Sequence, residues 1–181
     1  NEPQIGRNTI EELALKIVKL RELNDFNVGT TFTVTKISGG QNRIIVPEDS
    51  ILDADIRFYT MEEWKKISQQ IKQILSQAEI DGIQLDYELT FNRPPLTLVD
   101  GSAILQDIVI EASHELDIAY LTTQPGGVSD GNFVSAQGTP TIDGMGPTGG
   151  MMCSPEEFLE IDTMVPCASR LALTIAKLGA L

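Results

Sequence analysis

Basic residues are scarce in this chain: 13 lysines and arginines stand against 26 aspartates and glutamates, for a net charge of -13. A surface this acidic, with no basic run and no patch of mixed aromatic and basic residues, excludes nucleic-acid binding and argues against anionic membrane surfaces. Apolar residues never run on for the ~18 positions that a membrane-spanning helix needs, so no such span is expected. Histidine occurs once, at His114, and cysteine twice, at Cys153 and Cys167. Two cysteines make no disulfide framework and read as reduced thiols of a cytoplasmic protein. One histidine, inside the helical stretch EASHELDI, reads as a helix residue rather than a catalytic base. A lone thiol also falls short of the three or four ligands of a zinc site. These scarcities leave no complete catalytic constellation within the 181 residues.

What is present is a clear sequence of elements. Asn8 followed by Glu11 has capping-box spacing, and Ile10, Leu13, Ala14, Ile17 and Leu20 then recur at helical period. TTFTVTKI (residues 30–37) alternates around Phe32 and Val34 as a strand does, and after the turn SGGQ a short apolar run at 44–46 stops at Pro47. ILDADIRF (51–58) alternates cleanly, with Leu52, Ala54, Ile56 and Phe58 on one face and Asp53, Asp55 and Arg57 on the other. Thr60 and Glu63 repeat the capping spacing ahead of a second amphipathic helix through Leu75, and IQLDYEL (83–89) reads as a further strand. Helix, strand, strand, helix, strand becomes the ferredoxin-like β-α-β-β-α-β sandwich once a first strand is added in front.

RPP at 93–95 marks a boundary, so residues 1–92 form one domain and 93–181 another. In the second, a helix at 102–116, a strand at 118–123, a short helix at 133–137, a strand at 139–145, a helix start at SPEE and a final helix from Pro166 to Leu178 follow the grammar of an α/β sheet. Two strands cannot close such a sheet, so this half belongs to a larger one. The start NEPQIGRN has no initiator Met and enters a helix almost at once, so the chain reads as a piece of something longer. That start leaves periplasmic or secreted locations open beside the cytoplasmic one.

Two glycine-rich loops leave the expected strand ends, where ligands sit in α/β sheets. Gly126, Gly127, Ser129 and Asp130 lie in one; Gly149 and Gly150 lie in the other, beside Cys153. Glycines permit close backbone approach to a ligand, and ordinary turns are the competing reading. The acidic pairs Glu11-Glu12, Glu62-Glu63 and Glu156-Glu157 fall at helix starts, where carboxylates complement the dipole.

GGVSDGNFVSAQGTPTIDGMGPTGG, followed by SPEEFLEID and VP, resembles the C-terminal part of zinc-dependent exopeptidases and deacylases of the carboxypeptidase G, acetylornithine deacetylase and succinyl-diaminopimelate desuccinylase group. IGRNTIEELALKI, SGGQNRIIVP, DADIRF and FNRPP resemble that family's inserted lid, or dimerisation, domain. The resemblance implies a hydrolase with two zinc ions and a glutamate general base. It implies a homodimer formed through the lid, a small acyl-amino-acid or peptide substrate, and most of the catalytic machinery in an N-terminal half upstream of Asn1. Cys153 stands where the family places a zinc-ligating histidine, and Ile44 stands where it places a substrate-contacting asparagine. Arg43 is kept, and Arg93 matches an arginine that pairs with a substrate carboxylate, a linker salt bridge being the other reading. The expectation is a fragment of a zinc carboxypeptidase or deacylase that is inactive alone, with a degenerate dimerisation scaffold as the alternative.

Overall fold

The computed structural model describes residues 2–123 and 127–180. The chain divides into two compact units, residues 1–95 and 96–181. Both mix helices with small antiparallel sheets. No helix among the described residues is long and apolar enough to cross a membrane.

The first unit is built on two helices and a hairpin: α1 (Thr9–Arg21), β1 (Thr31–Gly39), β2 (Ser50–Arg57) and α2 (Met61–Leu75). Asn8 caps α1 as its spacing predicts, its Oδ1 accepting the N–H groups of Ile10 and Glu11 while its amide donates to Glu11 Oε1 at 3.1 Å. Thr60 Oγ1 accepts Glu63 N–H at 3.1 Å and starts α2 in the same way. Strands β1 and β2 pair antiparallel with Phe32 opposite Ile56 and Val34 opposite Ala54. A bulge between Val34 and Lys36 adds one residue to β1. It turns Ile37, rather than Lys36, to lie opposite Leu52, which keeps apolar residues on one face along the whole ladder. Leu20, Phe32, Ile67 and Ile71 are buried together, with Leu23, Val34, Ile56, Trp64, Ile74 and Leu89 packed around them.

Residues 83–89 form no strand. Their alternation survives as half-buried Ile83, Leu85 and Leu89 between exposed neighbours. Sequence pattern fixes which side chains turn inward, but a strand exists only where a neighbouring backbone supplies ladder hydrogen bonds. The same holds in the second unit at 118–123 and 139–145, which form no strands either.

The second unit contains α3 (Ser102–Glu115), α4 (Gly131–Ala136), β3 (Gly149–Gly150), β4 (Phe158–Leu159) and α5 (Met164–Leu178). Helix α3 packs on α5, and Lys177 Nζ ties their ends by donating to Glu115 at 2.6 Å. SPEE does not open a helix. Its single turn ends when Phe158 and Leu159 pair with Gly150 and Gly149, because strand pairing takes the backbone groups that a helix would need.

The first unit is fastened by a buried polar clasp. Lys16 and Glu12, one turn apart on α1, are each only 1% exposed. Lys16 Nζ donates to Ile74 O at 2.8 Å, Gln77 O at 2.6 Å and Glu79 Oε1 at 2.7 Å. Glu12 accepts the N–H groups of Glu79 and Ile80. Truncation of Glu12 to alanine leaves a buried cation short of a partner and two N–H groups unmet, so urea unfolding should show a loss of about 3 kcal/mol. The hydrogen bond from Lys16, then that from Lys19, holds the Glu79 carboxyl at about 2, well below its ordinary 4.5. Glu79 therefore binds its proton more readily unfolded than folded, and its stabilising effect is full above pH ~4.5 and lost as pH falls toward ~2. A Glu79→Gln variant should show a flatter acid limb in a denaturation midpoint-versus-pH profile.

Candidate functional site

The second unit presents Cys153 at the tip of a closed loop. Gly149 and Gly150 pair with Leu159 and Phe158, and residues 151–157 turn between them. Met151 and Cys153 take left-handed backbone conformations, with φ of 55° and 64°, at a cost of about 1–2 kcal/mol each. Local hydrogen bonds offset it. Cys153 N–H donates to Glu157 Oε2 at 3.1 Å, and Ser154 N–H donates to Met151 O at 3.1 Å. Below the turn, Glu160 N–H donates to Thr148 O at 2.9 Å, and Thr148 N–H donates to Thr163 Oγ1 at 2.9 Å. Glu157 thus closes the loop, a role that its place in an acidic pair does not reveal from sequence.

The glycines have different reasons for being there. A Cβ on Gly149 would lie 2.6 Å from the Phe158 carbonyl oxygen, so the close strand pairing demands glycine. At Gly150 the clash would be with the Phe158 ring, which is half exposed and can swing aside. In the other loop, Gly126 lies outside the described residues. Gly127 is exposed, and among the described residues no other side chain or backbone comes near its Cβ position. Ser129 is committed to structure: its N–H donates to Asn132 Oδ1 at 2.9 Å and its Oγ accepts Gly131 N–H at 3.1 Å. Asp130 is exposed and precedes α4 without capping it through its side chain, though it takes part in other interactions. Buried Ser135 bonds both backbone groups of Thr97, anchoring α4.

In the first unit, Arg43 projects from the exposed loop between β1 and β2. This loop lines an open cleft of ≈ 650 Å³. Arg93 is half-buried and engaged in interactions of its own. The sole histidine, His114, is exposed on α3 with its ring edge-on to Tyr120 at 5.6 Å.

Cys153 is exposed and Cys167 is buried, and both are free thiols. Among the described residues no three histidine, cysteine, aspartate or glutamate side chains come together to hold a metal ion. Cys153 could supply one thiolate, and Glu157, the nearest carboxylate in the loop, is turned onto the backbone. A zinc ion needs at least three protein ligands. The residues described here do not by themselves fit one.

Residues 1–82 match the family model described as peptidase dimerisation domain. Beyond the dimerisation domain, similarity extends along nearly the whole chain. The succinyl-diaminopimelate desuccinylase of Herminiimonas arsenicoxydans is 26% identical over 171 residues, covering 91% of this chain and 44% of that protein. Carboxypeptidase G2 of Pseudomonas sp. (strain RS-16) is 23% identical over 183 residues, covering 98% and 43%. In solved structures the fold matches a tripeptidase from Staphylococcus aureus at TM-score 0.70 and 23% identity, covering 96% of this chain and 46% of that one. It also matches aminopeptidase PepT from Bacillus cereus at 0.69 and 19%, with the same coverages. The chain therefore spans less than half the length of these relatives, and the segment that the dimerisation-domain model matches lies within its first unit.

Two outcomes test this geometry. A thiol reagent should modify one cysteine, Cys153, rapidly in the native chain and reach Cys167 only on unfolding, as peptide mapping would show. Gly149→Ala should break the β3–β4 pairing and raise amide exchange at Glu160, whose N–H donates to Thr148 O, at a cost of about 1–3 kcal/mol.

Proposed function

We propose that this chain is part of a zinc-dependent exopeptidase or deacylase acting on N-acyl amino acids or C-terminal glutamate-type amide bonds, and that it is inactive alone. The observation that carries this reading is the similarity over 91% and 98% of the chain to a desuccinylase and a carboxypeptidase, each more than twice as long as the aligned segment. The matched dimerisation domain adds to it. The described residues hold no metal centre, so the metal and the general base belong to an N-terminal half of the catalytic domain, the first partner of this chain.

In this reading the chain contributes substrate contacts and assembly. Cys153, exposed at its loop tip, offers a single ligand to zinc held mainly by other groups. As a thiolate it brings negative charge and weakens the metal's Lewis acidity relative to a neutral imidazole. Arg43 and Arg93 supply cations for a substrate carboxylate. Gly126, Gly127, Ser129, Asp130, Gly149 and Gly150 form the loop backbones that approach the substrate. The homodimer forms through the first unit, where β1 pairs with β2 along one edge only. Asn24 occupies the other edge at Phe32, its Oδ1 accepting Phe32 N–H and its amide donating to Phe32 O. The edge beyond Phe32 is open to a second copy.

Cys153 and Ile44, standing where the resemblance implies a histidine and an asparagine, favour the second reading, a dimerisation scaffold without catalysis. Assay of an N-acylglutamate with zinc present separates the two. The 181-residue chain should show no turnover, while the same chain continuous with an upstream catalytic half should hydrolyse the substrate and lose activity to a chelator. Turnover by the chain alone overturns its predicted inactivity. An inert full-length protein leaves the scaffold reading. Sedimentation should show a dimer that Ile37→Pro weakens, since in the β1–β2 ladder Lys36 N–H faces Asp53 whereas Ile37 N–H faces the open edge.

A further inference from the structure

Four aspartates in this chain precede a glycine: Asp81, Asp100, Asp130 and Asp143. In such a pair the glycine nitrogen can attack the aspartate side-chain carbon and close a ring, because no Cβ crowds the approach. Three of the four are held away from that reaction. Gly131 N–H donates to Ser129 Oγ at 3.1 Å, and Asp130 has helical backbone angles (φ -68°, ψ -18°) that run on into α4. Gly101 O accepts Leu105 N–H at 3.1 Å to start α3, with Pro140 3.0 Å from the place of a Cβ. Asp81 O accepts Arg7 Nε–H at 3.0 Å, and the Arg7 guanidinium lies over Gly82.

Asp143 differs. Gly144 N–H donates to Asp143 Oδ1 at 2.7 Å, the only one of the four glycines seen to donate to its own preceding aspartate among the described residues. The carboxyl carbon is one bond from that oxygen, which brings it close to the ~3–3.5 Å separation of poised reactants. Both residues are exposed, Gly144 has φ of 73°, and no other described atom comes near its Cβ position. Among the described residues, the backbone of 139–147 enters no backbone–backbone hydrogen bond. Little therefore resists the rotation that ring closure needs.

We propose that Asp143 is a self-modification site, where aspartate converts to isoaspartate through a succinimide. Gly144 N forms a bond to Asp143 Cγ, and the hydroxyl of the neutral carboxyl leaves with the amide proton as water. Water then adds at the main-chain carbonyl carbon of Asp143 and breaks its bond to Gly144 N. That carbon becomes the free carboxyl, and the main chain now runs through Cβ and Cγ, one methylene longer. Water lost in the first step is regained in the second, and nothing is oxidised or reduced. The extra methylene enters shortly ahead of Thr148, whose N–H donates to Thr163 Oγ1 and whose carbonyl accepts Glu160 N–H below the Cys153 loop. Conversion therefore loosens that loop. It is independent of the hydrolase reading above.

The purified 181-residue chain, held in neutral buffer and sampled over days, supplies its own controls. Peptide mapping with electron-transfer fragmentation tells isoaspartate from aspartate at each of the four positions. Asp143 should convert at least about fivefold faster than Asp81, Asp100 or Asp130 in the native chain. In urea the four should convert at similar rates, since each then has only its glycine neighbour. Asp143→Glu, which keeps the charge but lengthens the side chain past the favoured ring, should remove the dehydrated intermediate at this position. Converted chain should also show faster amide exchange at Thr148 and Glu160. Equal native rates at the four positions, preference for another of them, or an unmodified Asp143 would overturn the inference, and unchanged exchange at Thr148 and Glu160 would overturn its effect on the loop.

Discussion

The clasp between α1 and the turn after α2 is the interaction on which the first unit depends. Lys16 takes two carbonyls at the end of α2 and the Glu79 carboxylate, while Glu12 takes two N–H groups just beyond. A lysine and a glutamate buried to this degree are tolerable only because nearly every polar atom is met. The geometry fixes how far α1 and α2 sit apart and at what height. That spacing lets Leu20, Ile67 and Ile71 meet over Phe32. The hairpin is therefore laid against a pair of helices already fastened at one end.

The hairpin in turn sets the loop between its two strands. The bulge near Thr35 changes the side-chain phase of β1, so its outer half still presents Ile37 toward Leu52 before the loop begins. Without that extra residue, Lys36 would face the helices. From this footing the chain leaves as the loop that carries Arg43, Ile44 and Ile45, held by the Asn42 turn. In the second unit a different economy applies. Helix α5 turns Cys167, Arg170 and Thr174 inward, while Val165, Leu171 and Ile175 remain exposed. An apolar outer face of this kind suits a segment of a larger α/β sheet, which is consistent with a chain that spans less than half of its relatives.

Of the candidate site, the sequence made the loops and their glycines legible, but not their reasons. Gly149 is required by the Phe158 carbonyl nine residues away, a distance that only folding sets. Ser129 lies in one of these loops, and its hydroxyl accepts the Gly131 N–H two residues on. Glu157 looked like a helix-start acid and instead closes the Cys153 loop. Short polar side chains beside glycines serve turns and ligands equally well, and residue type alone does not distinguish them.

By itself the sequence determined the local elements whose causes are local. Asn8 and Thr60 start helices because a side-chain oxygen three residues from an N–H meets it whatever the rest of the chain does. The alternation of residues 51–58 fixes which face of β2 is apolar for the same reason. Tertiary structure decided everything that needs a distant partner. It made Thr31–Gly39 a strand and left 83–89, 118–123 and 139–145 without one, since a ladder requires a neighbouring backbone. It buried Lys16 and Glu12, which composition assigns to a solvated helix face, because carbonyl and N–H groups some sixty residues away were brought to meet them. Hydrogen bonds within one turn are written in the sequence, whereas those across the fold exist only after the elements have packed.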